Sequence, residues 1–512
     1  MKDTVRDFVF RMCGDAEVAA ICAAAVGGLD GGDVCVRLRP GEAETLRRAP
    51  CVATFAEGST AVASVMTPFV VVGELLYTRR NWSCERNVAD RIAAMAGHAS
   101  GGGAELPDTD FYRALREEQR MAVQAMCGAQ FSILTGGPGT GKTFTIDRAV
   151  RFLQESNPGL RLGLAAPTGK AAAKMGEGLK AGKAVTIHSM LGANLEQATV
   201  RFDRANPLAF DWVIVDEASM IGLSLMSKLL DALPKQCRLT LSGDEDQLAS
   251  VDRGRVFGDL CRRRGVTIAR LRESTRFAAD GGIARLAAAV NGGRCDEALA
   301  ILKAGDAAVK YADLAGARAH EPAEWPGFEA LVQEKFAAFR ASRNEEEALA
   351  HVDDFRVLCA VREGPYGVGR MNEFAKALLG RECPTPVMVT RNDFTLDVSN
   401  GDVGVVMPGD EKKLYLAKAG GGIRTVRLEL LPETETAFAS TVHKSQGSEF
   451  MDVAMVLPVP GEGEHPLLTR EILYTGITRT KKAVHLFGND AAVRMCCARR
   501  MERMSGMCEK VD

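Results

Sequence analysis

Phe131-Ser-Ile-Leu-Thr-Gly136-Gly-Pro-Gly139-Thr-Gly141-Lys142-Thr143 decides the fold of this chain. An apolar, strand-like run enters it, and a helical stretch leaves it from Phe144 onward. Between them lies the spacing G-x-x-x-x-G-K-[ST]. Glycines there let the backbone curl until its N–H groups face inward, where phosphate oxygens can accept from them. The helix N-terminus adds positive potential. Gly136, Gly137, Pro138, Gly139, Thr140 and Gly141 would form the cradle for ATP. Lys142 would neutralise the β- and γ-phosphates, and Thr143 Oγ1 would ligate Mg²⁺.

Such a loop needs a parallel sheet around it. Phe131–Leu134, Leu162–Ala165, Trp212–Val215, Arg238–Leu241 and Val266–Ala269 are short apolar runs separated by helical stretches. That alternation predicts a parallel sheet wrapped by helices. A second α/β pattern begins near Phe355–Ala360 and returns at Val453–Leu457 and Val484–Phe487. Between its parts, Pro386 to Phe438 carries β-like runs and turn signals such as Asn400-Gly401, the mark of a small β insertion.

The loop also needs a carboxylate for its metal and a base for water. Val213-Ile-Val215-Asp216-Glu217 places two acids at the end of an apolar strand, where ligands collect in open α/β sheets. Asp216 would hold Mg²⁺, and Glu217 would accept the proton of the attacking water. Leu239-Thr-Leu-Ser-Gly-Asp244-Glu-Asp246-Gln247 leaves another strand. The Gln247 amide can reach a γ-phosphate or its attacking water, because it both donates and accepts.

Composition narrows the partners. The chain has 512 residues, too many for one core, with 46 % hydrophobic and 25 % charged residues. A net charge of −2 excludes a histone-like protein but not a local basic groove. The basic runs Arg262-Arg263-Arg264 and Arg494, Arg499, Arg500, Arg503 read equally as solvated helix faces. The 14 cysteines include no CxxC pair, so they suit a reducing cytoplasm better than a metal site. Residues 1–20 carry charges throughout and resemble neither a signal peptide nor a membrane span. A cytoplasmic protein is expected.

The order of motifs resembles the superfamily 1 DNA helicases. Gln119, in Leu115-Arg-Glu-Glu-Gln119-Arg-Met-Ala122, resembles the adenine-reading glutamine motif. Ala166-Pro-Thr168-Gly-Lys and Thr186-Ile-His188-Ser resemble motifs Ia and Ib. Arg276 resembles the motif IV arginine. Ser440-Thr441-Val-His443-Lys-Ser-Gln446-Gly and Leu473-Tyr-Thr-Gly-Ile-Thr-Arg479 resemble motifs V and VI.

Within that superfamily the likeness is to the RecD helicases of RecBCD-type exodeoxyribonuclease V. It rests on Pro386-Val-Met-Val-Thr-Arg391-Asn392-Asp393 with Asn400-Gly401-Asp402, and on the N-terminal stretch Thr67-Pro68 to Ala89. Tandem helix-hairpin-helix modules, which mark free-standing RecD-like helicases, are not discernible ahead of the loop. The likeness weakens at about 291–350 and over the last twenty residues. The chain is short for a RecD, and the insertion looks trimmed.

The resemblance implies two RecA-like P-loop motor domains in an α/β chain, with a mainly helical N-terminal domain and a small β insertion. The expected borders are an N-terminal partner-docking domain at 1–96 and a linker at 97–107. A first motor with helical extension would follow at 108–350. A second motor at 351–490 would hold the insertion at about 400–436, and a tail would fill 491–512. The resemblance further implies that Arg276 and Arg479 complete the ATP site with Gln446. Thr168, His188, Asn392, Thr441 and His443 would touch DNA. It also implies 5′-to-3′ movement, RecB- and RecC-like partners, roles in double-strand break repair and recombination, and a nuclease domain in a partner. A stand-alone RecD-like helicase is the alternative. The Gly-rich joint suggests that a motor without residues 1–96 keeps its ATPase but loses assembly.

Overall fold

The computed structural model describes residues 2–56, 66–97, 105–179, 182–194, 199–276, 281–318, 321–393, 395–418, 421–431, 433–459 and 465–507. Most of the expected linker, residues 98–104, lies outside them.

Six strands form the first sheet, in the order Thr267–Leu271, Phe131–Gly136, Arg238–Gly243, Trp212–Val215, Leu162–Ala166 and Ala184–Thr186. Every neighbouring pair is parallel. Helices cover both faces, which is why the strands read as unbroken apolar runs. All four residues of Trp212–Val215 are buried. Gly136, Val215 and Gly243 therefore end at one edge of the sheet and send their loops to one place.

The second sheet is also parallel, in the order Val309–Asp313, Thr480–Gly488, Phe450–Val456, Phe355–Cys359 and Ala439–Thr441. It moves the expected border at 350. The strand Val309–Asp313 pairs with Thr480–Gly488 of the second lobe. Leu286, Val290, Leu299 and Leu302 share a core with Ile472, Val484 and Leu486. Phe328, Phe336 and Phe339 join Phe355 and Phe438. Residues from 282 onward thus belong to the second lobe. Their helices are amphipathic but carry no mark of which sheet they cover, because that choice is made by packing.

The insertion is a five-stranded antiparallel sheet. It begins at Thr385–Val389 rather than near 400, because that strand pairs with both Val403–Val406 and Thr434–Thr436. The N-terminal region is mainly helical, and its helices wrap a four-stranded sheet. The apolar piece Phe69–Leu76 reads as one strand but folds as two. Gly73, at φ +58°, turns Phe69–Val72 back onto Leu75–Thr78.

This region is not a bead on a flexible string. Its helix Arg79–Ala96 lies along Leu223–Ala232 of the first lobe. Val88, Ile92 and Met95 share one apolar core with Met226, Leu229 and Leu233. Asn87 Nδ2 donates to Ser227 Oγ at 2.9 Å, and Arg91 Nη2 donates to Leu233 O at 2.8 Å.

The expected tail is structured as far as residue 507. After the helix Asp490–Ala498 the chain crosses back to the N-terminal region. Val34 N donates to Met504 O at 2.9 Å, and Met504 N donates to Asp33 Oδ1 at 2.7 Å. The buried Glu85 carboxylate accepts from Ser505 Oγ, Gly506 N and Tyr77 Oη at 2.7, 3.0 and 2.9 Å.

The shared core contradicts the expected independence of the motor. Deleting residues 1–96 should expose the Leu223–Ala232 helix, lowering the melting temperature or precipitating the protein. Ile92→Ala should cost about 2–5 kcal/mol in denaturant unfolding, as for other fully buried large-to-small changes. A truncated motor with unchanged melting temperature would contradict this interface.

Candidate active site

The loop after Phe131–Gly136 places glycine where nothing larger fits. Gly139 and Gly141 have φ of +77° and +88°. A Cβ on Gly139 would stand 2.3 Å from Arg276 Cβ, and one on Gly141 would stand 2.6 Å from Gln119 Nε2. Thr140 Oγ1 donates to Gly137 O at 2.9 Å and braces the turn. The helix Lys142–Ser156 starts here, and Lys142 Nζ donates to Gly136 O and Gly137 O at 2.6 and 3.2 Å. Positive backbone dipole and a lysine thus share a half-open cradle.

The two acids arrive from the adjacent strand end. Ser242 Oγ donates to Asp216 Oδ1 at 2.7 Å. Glu217 has φ +51°, a left-handed conformation that is costly for a residue with a side chain. Burial and the neighbouring Asp216 carboxylate push Glu217 above the ordinary carboxylate range, while Arg479, Lys142 and Lys174 pull it down. The residue keeps one face toward the cleft.

Across the cavity stand Arg276, Glu449 and Arg479, with Gln247 beside them. Gln247 is 4 % exposed, yet its Oε1 has no hydrogen-bond partner. Arg276 Nη1 and Arg479 Nε are also buried without one. Arg276 Nη2 donates to Glu449 Oε1 at 2.7 Å, and Lys174 pairs with the same oxygen. Burial opposes it, but Lys174 and Arg276 hold Glu449 down at about 2. Buried polar atoms are costly unless satisfied. Two guanidinium groups and an amide, each with one buried atom left unbonded, stand around a glycine cradle and form a site suited to a polyphosphate.

The other expected residues are placed as follows. Gln119 lies behind the loop, donating to Thr140 O at 3.4 Å while its Oε1 accepts from Arg116 N. Gln446 does not border the cavity; its Nε2 donates to Leu248 O at 2.8 Å. Thr168 and Thr441 follow strand ends in the two lobes and cap the turns after them, accepting from Ala171 N and Lys444 N. Asn392 Oδ1 accepts from Asn400 N at 2.7 Å and closes the loop that follows the first strand of the insertion. His188 lines a cavity with Arg80, Lys228 and Arg253. Burial lowers the pKa of His188 and of His443, and nearby Lys228 and Arg503 respectively reinforce it.

Sequence reasoning missed Lys174, Ser242, Asp244, Glu449, Tyr474 and Thr475 as working parts. Tyr474 stood inside a quoted motif and Glu449 two residues beyond another, but the partners at these contacts lie more than 170 residues away in sequence.

The AAA domain family model matches residues 114–312, and the UvrD-like helicase C-terminal domain matches 436–487. The chain is 36 % identical to the RecBCD enzyme subunit RecD of Mycolicibacterium smegmatis, over 96 % of this chain and 93 % of that one. It is 32 % identical to the ATP-dependent RecD2 DNA helicase of Deinococcus radiodurans, over 78 % of this chain and 53 % of that one. Among solved structures, the Pif1 helicase from Candida albicans aligns at 16 % identity and TM-score 0.44, over 74 % of this chain and 95 % of that one. A glycine-rich loop closing on a lysine, a paired-acid strand end and two arginines at one cavity stand in the same chain that shares a third of its residues, nearly end to end, with a RecD, and the chain belongs to the RecD family.

Proposed function

We propose that the chain is an ATP-driven DNA helicase motor that hydrolyses ATP between its two lobes. One observation carries this. Buried, unpartnered groups of Gln247, Arg276 and Arg479 converge on the Gly136–Thr143 loop. Thr143 and Asp216 would hold Mg²⁺, which neutralises phosphate charge when bound. Glu217 would take the water's proton, and the arginines would stabilise charge on the transferring phosphoryl group.

Thr168 and His188 follow strands of the first sheet, Thr441 ends a strand of the second with His443 just beyond it, and Asn392 follows the first strand of the insertion. A strand of DNA crossing both lobes along those edges would meet them through its phosphates. Movement is proposed as 5′-to-3′. The chain would act within a RecBCD-type exodeoxyribonuclease V, beside RecB- and RecC-like subunits, in double-strand break repair. In support, it is 36 % identical to a RecBCD subunit over 96 % of its own residues, against 32 % over 78 % for the RecD2 helicase. Among the described residues no helix is long and apolar enough to cross a membrane.

Lys142→Gln should abolish DNA-stimulated ATP turnover while leaving the protein folded, because it removes the phosphate's counter-charge. Near-normal turnover would remove the cradle assignment. Glu217→Gln should retain nucleotide binding and lose hydrolysis. In the parent protein turnover should fall as pH drops through the raised Glu217 pKa, so the acid limb should lie above pH ~4.3, the ordinary glutamate value. A profile flat down to that pH would contradict the base. Unwinding of 5′-tailed but not 3′-tailed duplex tests direction. Co-purification with RecB- and RecC-like chains tests assembly; a lone monomer would favour the stand-alone reading.

A further inference from the structure

Tyr474 belongs to the helix Arg470–Ile477 of the second lobe, yet its hydroxyl reaches the first. It donates to Asp244 Oδ2 at 2.9 Å. The same oxygen accepts from Gln247 Nε2 at 3.0 Å, and Asp244 Oδ1 accepts from Asp246 N at 3.0 Å. All three side chains are buried. A Cβ on Gly137 would stand 2.9 Å from the Tyr474 hydroxyl, so this contact abuts the phosphate loop itself.

The chemistry of the carboxylate fixes the direction of the amide. An ionised aspartate only accepts hydrogen bonds, whereas an amide carries donors at one end and an acceptor at the other. Asp244 therefore turns the Gln247 NH₂ toward itself and the carbonyl away. The carbonyl Oε1 is the buried atom left without a partner, on a residue that borders the cavity with Lys142, Glu217 and Arg479. Reversing the amide would set two acceptors against each other.

We propose that Tyr474 is a positioning residue for hydrolysis, presenting the Gln247 carbonyl, through Asp244, to the water that attacks the γ-phosphate. This rests on the ATP reading of the cleft and chooses between the two roles open to Gln247. The water donates one hydrogen to Gln247 Oε1 and its other proton passes to Glu217. Its oxygen bonds to the γ-phosphorus as the bond to the bridging oxygen breaks, releasing ADP and phosphate. Because Tyr474 comes from the second lobe, the acceptor is aligned only when the lobes meet.

The test is steady-state, DNA-stimulated ATPase of the full chain. Tyr474→Phe should lower kcat roughly ten- to a hundred-fold, the scale of a small misplacement, with KM for ATP little changed. Gln247→Glu sets a carboxylate against Asp244 and should be severely impaired. Combining it with Asp244→Asn exchanges the two groups. The new amide donates to the new carboxylate, whose second oxygen faces the cleft as an acceptor. Turnover should then recover at least several-fold over Gln247→Glu alone. A double variant no better than the single one, with raised KM, would mean that Gln247 donates to the phosphate. That result, or a normal kcat in Tyr474→Phe, overturns the proposal. Lys142→Gln in the same assay separates the two levels. If it keeps turnover, the ATP reading fails; if it loses turnover while Tyr474→Phe is normal, only the positioning role fails.

Discussion

Three side chains of the second lobe hold one turn of the first. Tyr474 Oη donates to Asp244, Gln446 Nε2 donates to Leu248 O, and Thr475 Oγ1 accepts from Leu248 N. Leu248 itself is fully buried in the apolar core of the second lobe. The turn therefore cannot stay behind when the second lobe moves. Gln247 lies between those anchors, so a residue that borders the cleft is tied to lobe geometry by covalent and hydrogen-bonded links. A hydrogen bond to a charged group contributes about 1.5–3 kcal/mol, enough to bias a two-state hinge by a factor of ten or more.

The same turn continues into contacts with the rest of the chain. Gly254 N donates to Gly32 O of the N-terminal region at 2.9 Å. Arg503 Nη1 donates to Asp252 O and Gly254 O at 2.5 and 3.0 Å. Leu223 N donates to Arg253 O at the start of the helix that carries the N-terminal interface. Residues 244–254 thus touch the nucleotide cleft, the second lobe, the N-terminal region and the returning C-terminal segment. Glu85 anchors that segment from inside the N-terminal core, and burial raises its pKa despite the hydroxyls of Ser505 and Tyr77. A region expected only to dock partners is packed against the turn that borders the cleft.

What was legible in the sequence is what chemistry demands at short spacing. The loop from Gly136 to Thr143 and the pair Asp216-Glu217 need fixed residue types within a few positions, so they stand out without a structure. The strands around them were legible for a different reason: burial on both faces forces unbroken apolar runs. The border between lobes was not, because helices 282–303 would cover either sheet equally well by composition. The split at Gly73 was hidden because hairpin partners there share one apolar run. Tyr474 and Asp244 lie 230 positions apart, and no local pattern announces a contact between two lobes. Gln446 was placed at the nucleotide by resemblance, whereas its amide is spent on Leu248 O.

The central claim is that one cleft residue, Gln247, is oriented by both lobes for hydrolysis. The direct measurement is a structure of the full chain with Mg²⁺, an ADP–aluminium fluoride complex and single-stranded DNA. The account predicts Arg276 and Arg479 on the fluoride, and an in-line water between Glu217 and Gln247 Oε1. Tyr474 should remain on Asp244. A Gln247 NH₂ directed at the fluoride, or Tyr474 detached from Asp244 in that state, would contradict it.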